Sequence, residues 1–150
     1  MSEKHEDANL ILKLYELRRE EVMRAARNWF IGEFNPESLQ DISDAVMGEH
    51  SAHYRMVTTY WEMAASFVTN GAIDEKMFND ANGEHNVIYA KIEPFVAEIR
   101  STQGMPQYMQ HLEKIVMSAP DAKERMAALR ERFKQMAATR AASSKTAQAG

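Results

Sequence analysis

From Asp7 to Phe30 the chain holds no glycine and no proline, while Ile11, Tyr15, Val22, Ala26 and Trp29 recur at the three-and-four spacing of a helical stripe. The residues between them are mostly good helix formers, so the stretch reads as one long amphipathic helix. Leu10, Leu14 and Leu17 add a second apolar edge to its first half, wide enough to touch two neighbours rather than one. Glu16 with Arg19, and Glu20 with Arg24, supply its solvated side. No stretch alternates apolar and polar residues with β-branched enrichment, so a sheet is not expected and the fold class is all-α.

End signals divide the rest. Gly32 closes the first helix, and Asn35-Pro36 opens a second, because Asn caps free amides and Pro at the first helical position loses no hydrogen bond. Gly48 closes that one. A third helix, Glu49 to Asn70, carries Tyr54, Val57, Trp61, Ala64, Ala65 and Val68, and Asn70-Gly71 stops it. Asp74 caps a fourth segment reaching Arg100, either continuous or broken into 74–81 and 84–100 around Asn79, Asn82 and Gly83, with Pro94 kinking its second part. Gly104 and Pro106 precede a short helix ending near Ser118, and Pro120-Asp121 opens a last helix to about Arg140. Residues 141–150 are Ala, Ser, Thr, Gln and Gly with one Lys, which reads as a disordered tail. The expected architecture is an irregular helical bundle of five to six helices in a single domain, 1–140. It is built around an antiparallel pair, 49–70 and 74–100, with the first helix laid across it.

Composition narrows the function classes. A chain of 150 residues is long enough to bury roughly 70% of its unfolded surface in one core. With no cysteine, disulfides, thiolate nucleophiles and cysteine-ligated metal sites are excluded. A net charge of −4 argues against a nucleic-acid partner. Leu10-Ile11-Leu12 is interrupted at once by Lys13, so neither an export signal nor a membrane span is expected, and residence is expected to be cytoplasmic. No cofactor is called for.

The sharpest local coincidence is Gly48-Glu49-His50 with Tyr54, against Gly83-Glu84-His85 with Tyr89 at the same offset; Val57 aligns with Ile92 and Tyr60 with Phe95. A duplicated helix start would produce this, and so would chance. His and Glu at helical spacing bind metals inside bundles, so Glu49, His50 and His53 with Glu84 and His85 form a candidate metal set. An antiparallel hairpin would place His85 about 9 Å along the axis from His53, and neither group has the Glu-x-x-His spacing of di-iron bundles. The other reading is that Glu49 and Glu84 complement helix N-termini, with the histidines as surface or cap residues. No Gly-x-Ser-x-Gly elbow, phosphate loop or His-Glu-x-x-His is present, which makes an enzyme the minority reading, although folding could still bring His53, His85, His111 and Glu62 together.

Charge is segregated. Residues 121–150 carry seven Lys or Arg and three acids, leaving −8 on residues 1–120. Ala122, Met126, Leu129, Phe133 and Met136 step by four and three, an apolar seam of about two heptads beside Arg130. The seam docks on its own acidic body, or a partner or second copy covers it, or a membrane or nucleic acid does. Of these, Met126, Leu129, Phe133, Met136 and Arg130 form the candidate partner-binding set. The eleven methionines, and Trp29, Tyr60, Trp61 and Phe78, read first as core and second as the lining of an adaptable groove.

At Tyr60-Trp61-Glu62, then Asn70-Gly71-Ala72-Ile73-Asp74-Glu75 and Phe78, the chain resembles a group of bacterial helical proteins known only as a domain of unknown function. The resemblance spans residues 50–100 and implies an all-helical bundle and a bacterial source; it brings no catalytic residues with it. Two functions remain in view. One is a non-enzymatic interaction module, a homo-oligomer or protein binder, using surplus apolar faces of the first and last helices. The other is a small-ligand or metal-binding bundle using His50, His53 and His85.

Overall fold

The computed structural model describes residues 2–149. In chain order it contains α1 (Ser2–Arg18), α2 (Glu21–Gly32), α3 (Leu39–Met47), α4 (Ser51–Thr69), α5 (Glu75–Ala81) and α6 (Glu84–Ile92). A 3-10 turn (Glu93–Phe95) then leads into α7 (Val96–Thr102), α8 (Gln110–Val116) and α9 (Ala122–Ala149). There is no strand among the described residues, and the helices are more numerous than the five to six expected.

The first difference is a break in what reads as one long helix. Arg19 and Glu20 leave helical geometry, and the Glu20 carboxylate accepts from the Val22 and Met23 amides at 3.2 Å each. In a continuous helix the Val22 amide would go to the Arg18 carbonyl. Here that carbonyl is taken by Arg27 Nη1 at 3.0 Å, and the Leu14 carbonyl accepts from the Tyr60 hydroxyl. The Arg18 carbonyl freed by the break is thus satisfied by a side chain of α2. Nothing in the local sequence signals it.

Two other ends differ from the sequence expectation, while segment 74–100 takes the broken form that the sequence allowed. Pro36 lies in a loop, and α3 is capped by Ser38, whose Oγ accepts from the Asp41 amide at 3.1 Å. Segment 74–100 divides at Asn82-Gly83 and again at the 3-10 turn holding Pro94. The last helix continues past Arg140 to Ala149, since its alanine-rich sequence propagates a helix already started.

Helix α4 is central rather than one half of a hairpin. It packs along α2 and α8, with α3 across its start, whereas α6 packs mainly on α9 and α8. Its buried stripe includes Tyr54, Val57, Trp61, Ala64, Ala65 and Val68, as the periodicity predicts. Trp61, Tyr89, Phe30 and Phe78 are fully buried, each contributing roughly 2–3 kcal/mol by removal from water. Helix α8 begins from Met109, whose left-handed φ of 56° is strained for a residue with a Cβ. Glu62 holds that end, accepting from the amides of His111 and Leu112 at 3.0 and 2.8 Å.

Lys91 ties three elements together. It is 2% exposed, and its Nζ donates to the carbonyls of Phe30, Ile31 and Phe34 at 2.8, 2.8 and 2.7 Å, closing the C-terminus of α2 from α6. The same ammonium lies 5.7 Å from the Phe133 ring on α9. Burial pushes its pKa down to about 8, while three carbonyl acceptors at the negative end of a helix hold the charged form.

Candidate functional site

The histidine and carboxylate residues singled out by sequence fall into two places. The first is a buried polar hub where α2, α4 and α6 meet under α1. Glu84 accepts from Arg27 Nε at 2.8 Å and Nη2 at 2.9 Å, a two-pronged pair, and from the Trp61 indole at 3.1 Å. Its side chain is only 12% exposed, so the pair is largely desolvated and each member depends on the other. The hydrogen bond to Glu84 raises the Arg27 pKa. Arg18 completes the roof, its guanidinium 5.6 Å from the Trp61 ring centre.

His85 follows Glu84 on α6 and is fully buried against Phe78 and Trp61, at ring separations of 5.0 and 5.7 Å. Its Nε2 meets Asn79 Oδ1 at 3.1 Å, while Nδ1 is buried without a partner. Burial, with the Arg18 charge acting in the same direction, pushes the imidazole down to about 4, so it is neutral at pH 7.

The second place is a groove of about 400 Å³ between the end of α2, α3 and the start of α4. There the Trp29 indole stacks with Phe34 at 4.8 Å and with His50 at 4.7 Å, and His53 lies 5.8 Å from His50. Asp41, Asp44 and Glu49 stand around it, Glu49 being 3.7 Å from His50 Nε2. His53 and Trp61, where His85 sits, are eight positions apart on α4, which is about 12 Å of helix rise. The five residues of the candidate metal set are therefore divided between these places. Among the described residues no three His, Asp or Glu side chains converge as a metal would require. Glu62 and His111 are occupied elsewhere, Glu62 on the α8 amides and His111 Nδ1 against Thr69 Oγ1 at 2.6 Å.

Comparison with known families identifies most of the chain: a family model, described as a domain of unknown function, matches residues 4–118. The chain belongs to the DUF4760 family. No curated protein and no solved structure matches it. The DUF4760 match runs from α1 through α8, so the hub and the groove both lie inside it and α9 lies beyond it. No described helix is long and apolar enough to cross a membrane.

Outside the DUF4760 match, α9 places its candidate partner-binding residues unequally. Ala122 and Met126 are buried in the chain's own core, and Leu129 packs against it. Phe133 is half-buried, whereas Met136 is 44% exposed. A seam spaced by 3.5 residues drifts on a helix of 3.6 residues per turn, which moves Met136 to the side of the docked face. Arg130 Nη1 donates to the Ala90 carbonyl at 2.8 Å and lies 3.6 Å from Glu93, so it serves the internal packing of α9.

Within the DUF4760 match, α1 is unlike the other helices. Leu14 is buried, but Leu10, Leu12, Tyr15 and Leu17 are between 40% and 59% exposed, and Val22 at the start of α2 is 53% exposed. Tyr15 and Val22, placed by spacing on the main stripe with Ile11, Ala26 and Trp29, are thus exposed, and only Ala26 and Trp29 of that stripe are buried. The sequence signal for the rest was the second apolar edge at Leu10, Leu14 and Leu17. It did not show that α1 touches so little of its own chain that only the middle of that edge is covered.

Proposed function

We propose that this DUF4760 protein is a non-enzymatic protein-interaction module whose principal docking surface is α1. One observation carries the reading. Of nine large apolar side chains left exposed among the described residues, five fall between Leu10 and Val22. Scattered exposed apolar residues need no explanation, but four on one lightly packed helix, with a fifth, Val22, at the start of the next, mark a contact surface. Helix α9 adds a smaller surface, with Met136 exposed beside exposed Arg132 and Arg140. The buried hub stands apart from this surface, because its donors and acceptors are largely committed to one another.

The test is a photo-crosslinking residue placed singly at position 10, 12 or 123 in the expressing cell. The expected result is an adduct of defined mass from positions 10 and 12, lost when Leu17→Lys is added, with none from position 123. Equal adducts from all three positions, or none from 10 and 12, would remove α1 as the docking surface.

A further inference from the structure

The break between α1 and α2 comes down to one torsion. The Arg19 and Glu20 amides donate to the Glu16 and Leu17 carbonyls at 3.2 and 3.4 Å, so the chain still turns as far as Glu20. Glu20 has a helical φ of −58°, and its ψ of 143° lies about half a turn from the helical value. No glycine or proline stands between Asp7 and Phe30, and Arg19 and Glu20 both favour helix. Straightened at that torsion, one helix brings Ile11, Tyr15, Val22, Ala26 and Trp29 within about 60° of each other, restoring the stripe that the break divides. Hydrogen bonds nearly balance between the two forms. The Val22 and Met23 amides leave the Glu20 carboxylate for the Arg18 and Arg19 carbonyls, and Arg27 keeps Glu84.

A straight helix carries α1 off its own body. Helices α2 and α4 run antiparallel, with Phe30 beside Tyr54 at 5.9 Å and Arg27 sharing Glu84 with Trp61. Tyr15 lies fifteen positions before Phe30 and Thr69 fifteen after Tyr54, so a straight helix sets Tyr15 level with the end of α4. Residues before it project beyond. In the bent form Leu14 is buried and its carbonyl accepts from the Tyr60 hydroxyl, while Asp7 Oδ2 accepts from the Asp74 amide at 2.9 Å. None of these contacts requires α1 and the body to belong to one chain.

We infer that α1 is an exchangeable arm: in a two-fold pair each copy straightens at Glu20 and lays its α1 on the body of the other. The Leu14, Tyr60 and Asp74 contacts then form between chains, and because the exchange is reciprocal the pair is closed. A short hinge that bends a helix-favouring sequence is the kind that invites such exchange. In the pair the two straightened segments pass at the two-fold axis, where Tyr15 and Val22, exposed in the single chain, gain neighbours. This goes beyond the docking reading, since it concerns which body α1 packs on and not what its outer edges meet.

The chain has no cysteine, so two introduced ones report the exchange on the full-length protein. Asp7→Cys on α1 and Glu75→Cys beside its Asp74 contact are joined by a short bis-maleimide after gel filtration has separated the species. The expected result at high micromolar concentration is a species of twice the 17.1 kDa mass cross-linked chain to chain, and a monomer cross-linked within the chain. Glu20→Ala removes the cap of the bent form and favours the straight one, so the pair should tighten about tenfold. Arg19→Gly costs more in a continuous helix than in a turn, and should weaken the pair several-fold. If the cysteine pair loses helical content by circular dichroism, amine cross-linking of Lys4 to Lys76 in co-concentrated light and heavy-isotope chains gives the same reading. A double-mass species whose links all stay within one chain overturns the inference. So does a monomer at high micromolar concentration in both the wild type and Glu20→Ala.

Discussion

Gly48-Glu49-His50 and Gly83-Glu84-His85 are nearly the same words in the sequence, and the fold gives them opposite meanings. The side chain of Glu49 is 88% exposed and that of Glu84 is 12% exposed. His50 lies on the face of Trp29 at a groove mouth, whereas His85 is sealed beneath Trp61. The apolar residues that follow behave alike: Tyr54 and Tyr89 are both buried, and so are Val57 and Ile92. Helical periodicity decides which apolar positions face inward, because it acts along one element. The surroundings of a charge depend on what another element brings opposite it, and only Glu84 has Arg27 there.

The largest test of this contrast is at the glutamates. Glu84→Ala strands the Arg27 guanidinium and leaves the Trp61 indole without its acceptor, so a loss of about 3–4 kcal/mol is expected. Glu49→Ala is expected to stay within about 0.5 kcal/mol. Urea unfolding of the two variants compares them directly, and similar losses would mean the two segments are equivalent after all.

Acid provides the next test. His85 is held near 4 in the folded chain, whereas in the unfolded chain it titrates near its ordinary value of 6.5. Between these values the unfolded state binds the extra proton, so stability falls as pH drops from about 6.5 to 4 and is retained above that window. The full contribution is about 3 kcal/mol. His85→Phe keeps a ring against Trp61 and Phe78, and the acid limb of its stability curve should flatten by up to that amount. An unchanged limb would show that His85 is not the group responsible.

The smallest effect reverses the order of the two segments. A Cβ on Gly48 would meet the Asp44 carbonyl oxygen at 2.6 Å, while a Cβ on Gly83 meets nothing within 4 Å. Gly48→Ala should therefore lower stability by about 1–2 kcal/mol, and Gly83→Ala should change it by less than about 0.5 kcal/mol. Thermal melts of the pair measure this, and equal shifts would contradict the packing at the α3 terminus.

Much of the fold is legible in the residue order. The stripe of α4, the stop at Asn70-Gly71 and the Asp74 cap all lie where spacing and end chemistry put them. The break at Arg19-Glu20 is not legible, since both residues favour helix and the Arg18 carbonyl it frees is satisfied by Arg27 of α2. Lys91 is equally silent in the sequence: an ordinary lysine near the end of α6 becomes the closure of α2 only because the two helices meet. The candidate site was legible in part. Leu10 and Leu17 mark a surplus apolar edge by spacing alone, but that α1 leaves them uncovered depends on the few neighbours the fold brings to it.

By itself, then, the sequence determined an all-helical chain, the inward face of α4 and most helix ends, because those follow from propensity and period along a single element. Only the tertiary structure decided which glutamate is buried, which histidine stays neutral, how α9 spends its apolar seam and which helix keeps its edges free. Those outcomes are set by distances between elements far apart in the chain, over which charge pairing and desolvation act and along which no local pattern runs.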